Sequence, residues 1–217
     1  MGVNWSQNGG WSANIMGMQY SKAGVSFDPS VGASANFRWE TNYYANDNNS
    51  SVTTLDNSFL KTQQEADAYT KKLGLNKKQH GIDNVEYGYK NKVISDKYSW
   101  NENGVIVDKN GNELAGLTQA KIRGLSVSQK VWMSPHNNER NFVITLNHEL
   151  IHVYHHNDIG LRYLVGEKEY LNYTETVAYD WENRYRYNPL PSRYVRYEGN
   201  TLPFLPDKKN LFIVPKM

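Results

Sequence analysis

Cysteine is absent from this 217-residue chain. Neither a disulfide nor a thiolate metal ligand is therefore available, and redox chemistry does not fix a compartment. Long apolar runs are missing too: nothing approaches the roughly 20 residues of a membrane span, and no signal peptide is evident. An excess of charge of one sign is lacking, with 24 basic against 22 acidic residues, so there is no basic footprint for nucleic acid. Proline is sparse, and five of the seven fall after Asn188, where they break any helix and leave an extended tail. What the chain does have is tyrosine, 16 of them, with many asparagines and only 21% charged residues, which suits an extracellular or secreted bacterial surface. Its length buries one good core with room for a small appendage.

The most informative stretch is His148-Glu149-Leu150-Ile151-His152. Histidines four apart lie one turn apart on the same face of an α-helix, so both imidazoles reach one ion. The glutamate between them sits about 100° round the helix, placed to reach a metal-bound water rather than the metal. Shuffling six His and twelve Glu through this length gives the pattern in roughly one chain in a hundred. The context also favours a helix. Asn138-Glu139-Arg140-Asn141 supplies a polar start after Pro135, and Asp158-Ile159-Gly160 supplies a stop. Val143, Leu146, Leu150 and Val153 form an apolar stripe on the side away from both histidines. His155 and His156 then read as C-terminal histidines favoured by the helix dipole.

A catalytic zinc site takes three protein ligands and leaves a fourth position open. Two residues compete for third place. Asp158 stands six beyond His152, but a chain reaching back from there wants a glycine where this one has His155. Glu175 stands in Tyr173-Thr174-Glu175-Thr176-Val177-Ala178-Tyr179-Asp180-Trp181-Glu182, a helical pattern in which Leu171, Ala178, Tyr179 and Glu182 share its face. Ala178 is small enough to let two helices approach beside a metal.

Over residues 127–187 the chain resembles the gluzincin clan of zinc peptidases, in which a glutamate on the next long helix completes an H-E-x-x-H site. The resemblance implies Zn2+ as cofactor, His148, His152 and Glu175 as ligands, and Glu149 as base and proton shuttle. It also implies an α+β, zincin-like fold, a small twisted sheet over a metal helix and a glutamate helix. One departure bears on the histidine's orientation. Thermolysin-like gluzincins carry an aspartate four residues after the ligand glutamate, whereas this chain has Tyr179 there and Asp180 one step on. Asp180 points about 100° away from Tyr179, while Glu182 returns to the face of Glu175.

Gln129–Pro135 reads as a strand closed by a proline. By the same resemblance Val131, Trp132, Met133 and Ser134 form a sheet edge that pairs with an extended substrate; the competing reading is an internal strand with a buried Trp132. The oxyanion donor is expected among the alternating Arg and Tyr of residues 184–197.

Residues 1–54 are expected to be a β-rich extension and linker, and 55–217 the metallopeptidase domain. Trp5-Ser6 and Trp11-Ser12 repeat in similar Asn/Gly surroundings, and Val31 to Trp39 alternates with period two, which predicts a hairpin or meander. In texture this segment resembles the degenerate β-repeats ahead of C-terminal effector domains in secreted bacterial proteins, including RHS/YD-repeat toxins. Met1-Gly2-Val3-Asn4-Trp5 accordingly looks like the middle of a larger chain. The partners so implied are a protein or peptide substrate and an immunity protein or inhibitor. The expected function is a zinc-dependent hydrolase of peptide bonds, a cell-wall amidase being the variant within that class. The alternative is a non-catalytic adhesive or carbohydrate-binding module with a structural metal.

Between the two lies a polar break, Tyr43–Thr54. Thr62–Leu73 predicts a helix ended by Gly74, and Asn103-Gly104 and Asn110-Gly111 predict turns flanking Val105-Ile106-Val107.

Overall fold

The computed structural model describes residues 2–6, 10–15, 18–21, 24–27, 37–44, 52–123, 126–157, 167–185 and 211–216, with side chains over 52–121, 127–157, 174–185 and 211–216. The chain is mixed α+β and forms two compact units, residues 1–38 with 121–128, and residues 39–120 with 129–217.

In the first unit, β1 (Gly2–Ser6), β2 (Gly10–Ile15), β3 (Met18–Ser21) and β4 (Gly24–Phe27) make an antiparallel four-stranded meander in chain order. The expected Trp-Ser repeat falls in register, with Trp5 opposite Trp11. Val31–Asn36, the first part of the alternating stretch, lies outside the described residues. Its last three residues belong to β5 (Phe37–Tyr44), which lies before the expected boundary at residue 54 but pairs with β9 of the second sheet.

The second sheet has the order β6-β10-β9-β8-β7, with β5 added beside β9. Its strands are β6 (Asn84–Tyr87), β7 (Tyr98–Trp100), β8 (Ile106–Asp108), β9 (Glu113–Arg123) and β10 (Ser126–Met133). The two Asn-Gly turns form as the sequence predicts, with Gly104 and Gly111 at φ 75° and 81° in the region open to glycine. β10 lies parallel to β6, Val131 opposite Val85 and Met133 opposite Tyr87. Period-two alternation sends Val131 and Met133 into the core shared with the helices, and Trp132 into a second core with Trp100, Ile106 and Leu114.

Thr62 opens α1 (Gln63–Leu73) with a reciprocal capping box to Glu65, and Gly74 closes it at φ 94°. A short α2 (Lys77–His80) follows. Asn138 starts α3 (Glu139–Asn157) by accepting the Asn141 N–H through its side chain at 2.8 Å. The apolar stripe of α3 is buried as expected, but so is nearly everything else from Phe142 to His156; only Tyr154 in that span is exposed. The sequence suggested one dry face, and the structure has a helix covered all round. Glu149 meets the sheet, His148 and His152 meet α4 (Glu167–Glu182), and Asn147 exchanges two hydrogen bonds with the backbone of Phe212. No helix among the described residues is long and apolar enough to cross a membrane.

Candidate metal centre

Helices α3 and α4 bring the expected trio together. Nitrogens and carboxylate oxygens of His148, His152 and Glu175 lie within 4.8 Å of one another, a buried group that could hold a metal ion. Glu175 Oε2 is 3.6 Å from Nε2 of each histidine, too far for a hydrogen bond and wide enough for an ion between them. His152 Nε2 and Glu175 Oε2 are buried without a hydrogen-bond partner. Buried polar atoms are normally satisfied, so convergent orphans of complementary ligand type fit a metal ion. Ala178, three residues on from Glu175 along α4, is fully buried in the core.

The remaining imidazole nitrogens are held from behind. His148 Nδ1–H donates to Glu182 Oε2 at 3.0 Å, while Asp180 is solvent-exposed. Tyr179, in the position where thermolysin-like enzymes have aspartate, packs its ring edge-on to His148 at 5.0 Å. Glu182 thus orients the histidine from one turn farther along. His152 Nδ1 is 2.8 Å from Thr174 Oγ1, and His155 Nδ1 is 2.7 Å from the same hydroxyl.

Glu149 stands beside the trio but outside it, its side chain fully buried. Its Oε2 accepts from the Thr118 hydroxyl at 2.5 Å, and its Oε1 has no hydrogen-bond partner. Room for this carboxylate comes from Gly116 on β9: a Cβ there would overlap Oε1 and stand 2.8 Å from Cγ. Neither Gly116 nor Thr118 was marked by the sequence, because a glycine and a threonine in a strand announce nothing about a helix 31 residues on from Thr118.

Three carboxylates and two imidazoles, taken out of water together, strain for positive charge. Burial disfavours a charged His148, yet Glu175 and Glu182, with Glu149 nearby, outweigh it and push that imidazole up to about 10. Burial raises Glu149 to about 8, against the pull of His148 and Thr118. Burial also works to raise Glu175, but the two histidines win and hold it down at about 2. His152 is lowered by burial despite Glu175. The set accommodates a cation, whether a proton on His148 or a metal in its place.

Other expected site residues fall differently. Val131–Ser134 are not at an edge: β10 is flanked by β6 and β9, all four residues are buried, and the Ser134 N–H donates to Ala115 O at 3.0 Å. The reason is the parallel partner β6, which comes from far upstream and which local pattern does not reveal. His155 and His156 do fall in the last turn of α3, and both are buried, the latter with Nδ1 3.1 Å from Gln129 Oε1 on β10. Asp158 and residues 186–197, with most of the expected oxyanion donors, lie outside the described residues. One buried histidine had no signal at all. His136, just after β10, has Nε2 2.8 Å from Thr145 Oγ1 and is pushed down to about 4 by burial.

No protein-family model matches this chain, and no curated protein or solved structure matches it, so the chemistry of the site is carried by its own residues.

Proposed function

We propose that the protein is a zinc-dependent hydrolase of peptide bonds, gluzincin-like in its site and zincin-like in its pairing of sheet, metal helix and glutamate helix. The observation that carries this reading is the position of Glu149. It is buried beside His148, His152 and Glu175, tied to Thr118 through one oxygen, and left with the other free of hydrogen bonds. A structural zinc site is normally closed by four protein ligands; among the described residues this group has three.

The donor set of two imidazoles and one carboxylate suits zinc. When bound, such an ion supplies Lewis acidity, polarising a carbonyl and lowering the pKa of water. The chain's own residues do the rest. Glu149 Oε1, which has no other hydrogen-bond partner, takes the proton from water and returns it to the leaving amine. Thr118 holds Oε2 so that the other oxygen faces the reaction, and Glu182 keeps the His148 ring turned with Nε2 inward.

Delivery as a secreted bacterial effector or toxin domain rests on the texture of the first 40 residues. The protein or peptide substrate and the immunity protein belong to that same proposal.

Glu149→Gln tests the mechanism, since it removes the base and leaves every ligand in place. Zinc content should match the parent, and hydrolysis of a peptide mixture should fall by at least about 100-fold. Full activity in a zinc-loaded Glu149→Gln protein would remove Glu149 from the chemistry.

A further inference from the structure

We propose that Thr174 is a positioning residue of the metal centre: its hydroxyl, shared between His152 and His155, fixes which nitrogen of His152 is presented to the ion. The proposal rests on the reading of His148, His152 and Glu175 as ligands. The three residues of this hydrogen-bonded chain are enclosed, with His152, Thr174 and His155 at most 1% exposed, so water does not compete for these bonds.

A hydroxyl has a single hydrogen and two lone pairs. For His152 to bind through Nε2, that nitrogen must keep its lone pair, and the ring proton must sit on Nδ1. Nδ1–H then donates to Thr174 Oγ1, 2.8 Å away. The hydroxyl hydrogen is thereby left for His155 Nδ1, 2.7 Å from the same oxygen. The chain runs in one direction, from His152 N–H to the hydroxyl and from the hydroxyl to His155. Run in reverse, it would put the His152 proton on Nε2, aimed at Glu175 Oε2 and at the position of the ion. With His152 bound through Nε2, His155 Nδ1 is the acceptor that takes the hydroxyl hydrogen. One turn of α4 therefore supplies a ligand, Glu175, and the group before it in sequence that sets another ligand.

A space-filling role and a hydrogen-bonding role separate in two substitutions of the full-length chain. Thr174→Val keeps the shape and loses the hydroxyl; Thr174→Ser keeps the hydroxyl. Affinity for Zn2+ and Co2+ is read by competition with a chelating dye, with folding followed by circular dichroism. The 15N shifts of the imidazoles in the zinc-loaded wild type report which His152 nitrogen carries the proton. Thr174→Val should bind metal about 10- to 100-fold more weakly, Thr174→Ser within about 3-fold of wild type, and His152 should be the Nδ1–H tautomer. Equal affinity for Thr174→Val and wild type would overturn the proposal alone, as would a folded Thr174→Ser as weak as the valine variant. A wild-type chain that binds neither ion would overturn the metal reading and take this proposal with it. Should Thr174→Val fail to fold, the wild-type spectrum decides, and a metal on His152 Nδ1 overturns the proposal.

Discussion

At the scale of single residues the centre is held from the sheet and from α4, and each side can be struck separately. Gly116 is the most local. A methyl group there would overlap the Glu149 carboxylate, so Gly116→Ala should cost about 1–3 kcal/mol in urea unfolding. In a Glu149→Ala background the same change should cost little, because the shortened side chain leaves the space open; a double-mutant cycle measures the difference. Additive costs would mean that the close approach is relieved by other movement. The acidic residues of α4 should separate by role in a zinc titration. Glu175→Ala should lose more than about 100-fold in affinity, Glu182→Gln about 10- to 100-fold, and exposed Asp180→Ala nothing measurable. Equal losses for Glu182→Gln and Asp180→Ala would dismiss the His148–Glu182 bond as an orienting contact. This ranking was partly legible in the sequence, since helical period alone returns Glu182 to the face of Glu175 and turns Asp180 away. Thr118, Gly116 and Thr174 were not legible. Each acts through a side chain brought near by tertiary packing, and none belongs to a residue type that marks itself.

At the scale of elements, sequence reading succeeded where a boundary is written locally. Thr62, the two Asn-Gly turns, Gly74 and Asn138 all cap or turn the chain through neighbours a few residues away. It missed the environment of whole elements. Strand β10 could be read as an edge or as an internal strand with a buried Trp132, because its parallel partner β6 is distant in sequence and only the structure decides for the second; α3 looked two-faced because the strand and the C-terminal segment that cover its other side are equally distant. Strand β5 shows the same limit, since it lies before the Asn/Ser-rich break yet pairs with β9, the strand that carries Gly116 and Thr118. Chains starting at residue 46 or 52, both lacking β5, should therefore be less stable than one starting at residue 37, which retains it. Thermal unfolding compares the three directly. Equal melting temperatures would show that β5 adds nothing to the stability of the sheet.

The whole molecule carries a pH dependence that does not involve His148, His152 or Glu175. His136 is fully buried and neutral, with its folded pKa near 4 against 6.5 in a model peptide. At pH above 6.5 both folded and unfolded states leave it neutral, and its contribution is complete. As pH falls from 6.5 to about 4 the unfolded chain takes up the proton first, and stability drops by about 3 kcal/mol before levelling off. Urea unfolding at pH 7, 5.5 and 4.5 should show this loss, and His136→Gln should flatten that part of the curve. An unchanged slope in the variant would assign the acid loss to other groups. The covered state of α3 has a different kind of consequence. A helix without a wet face has no cheap way to open in its middle, so the amide hydrogens of residues 146–153 should exchange with deuterium only when the entire domain unfolds. The rate at which those eight amides exchange is then a clock for the global transition, and a bound ion should slow it by the same factor by which it stabilises the fold.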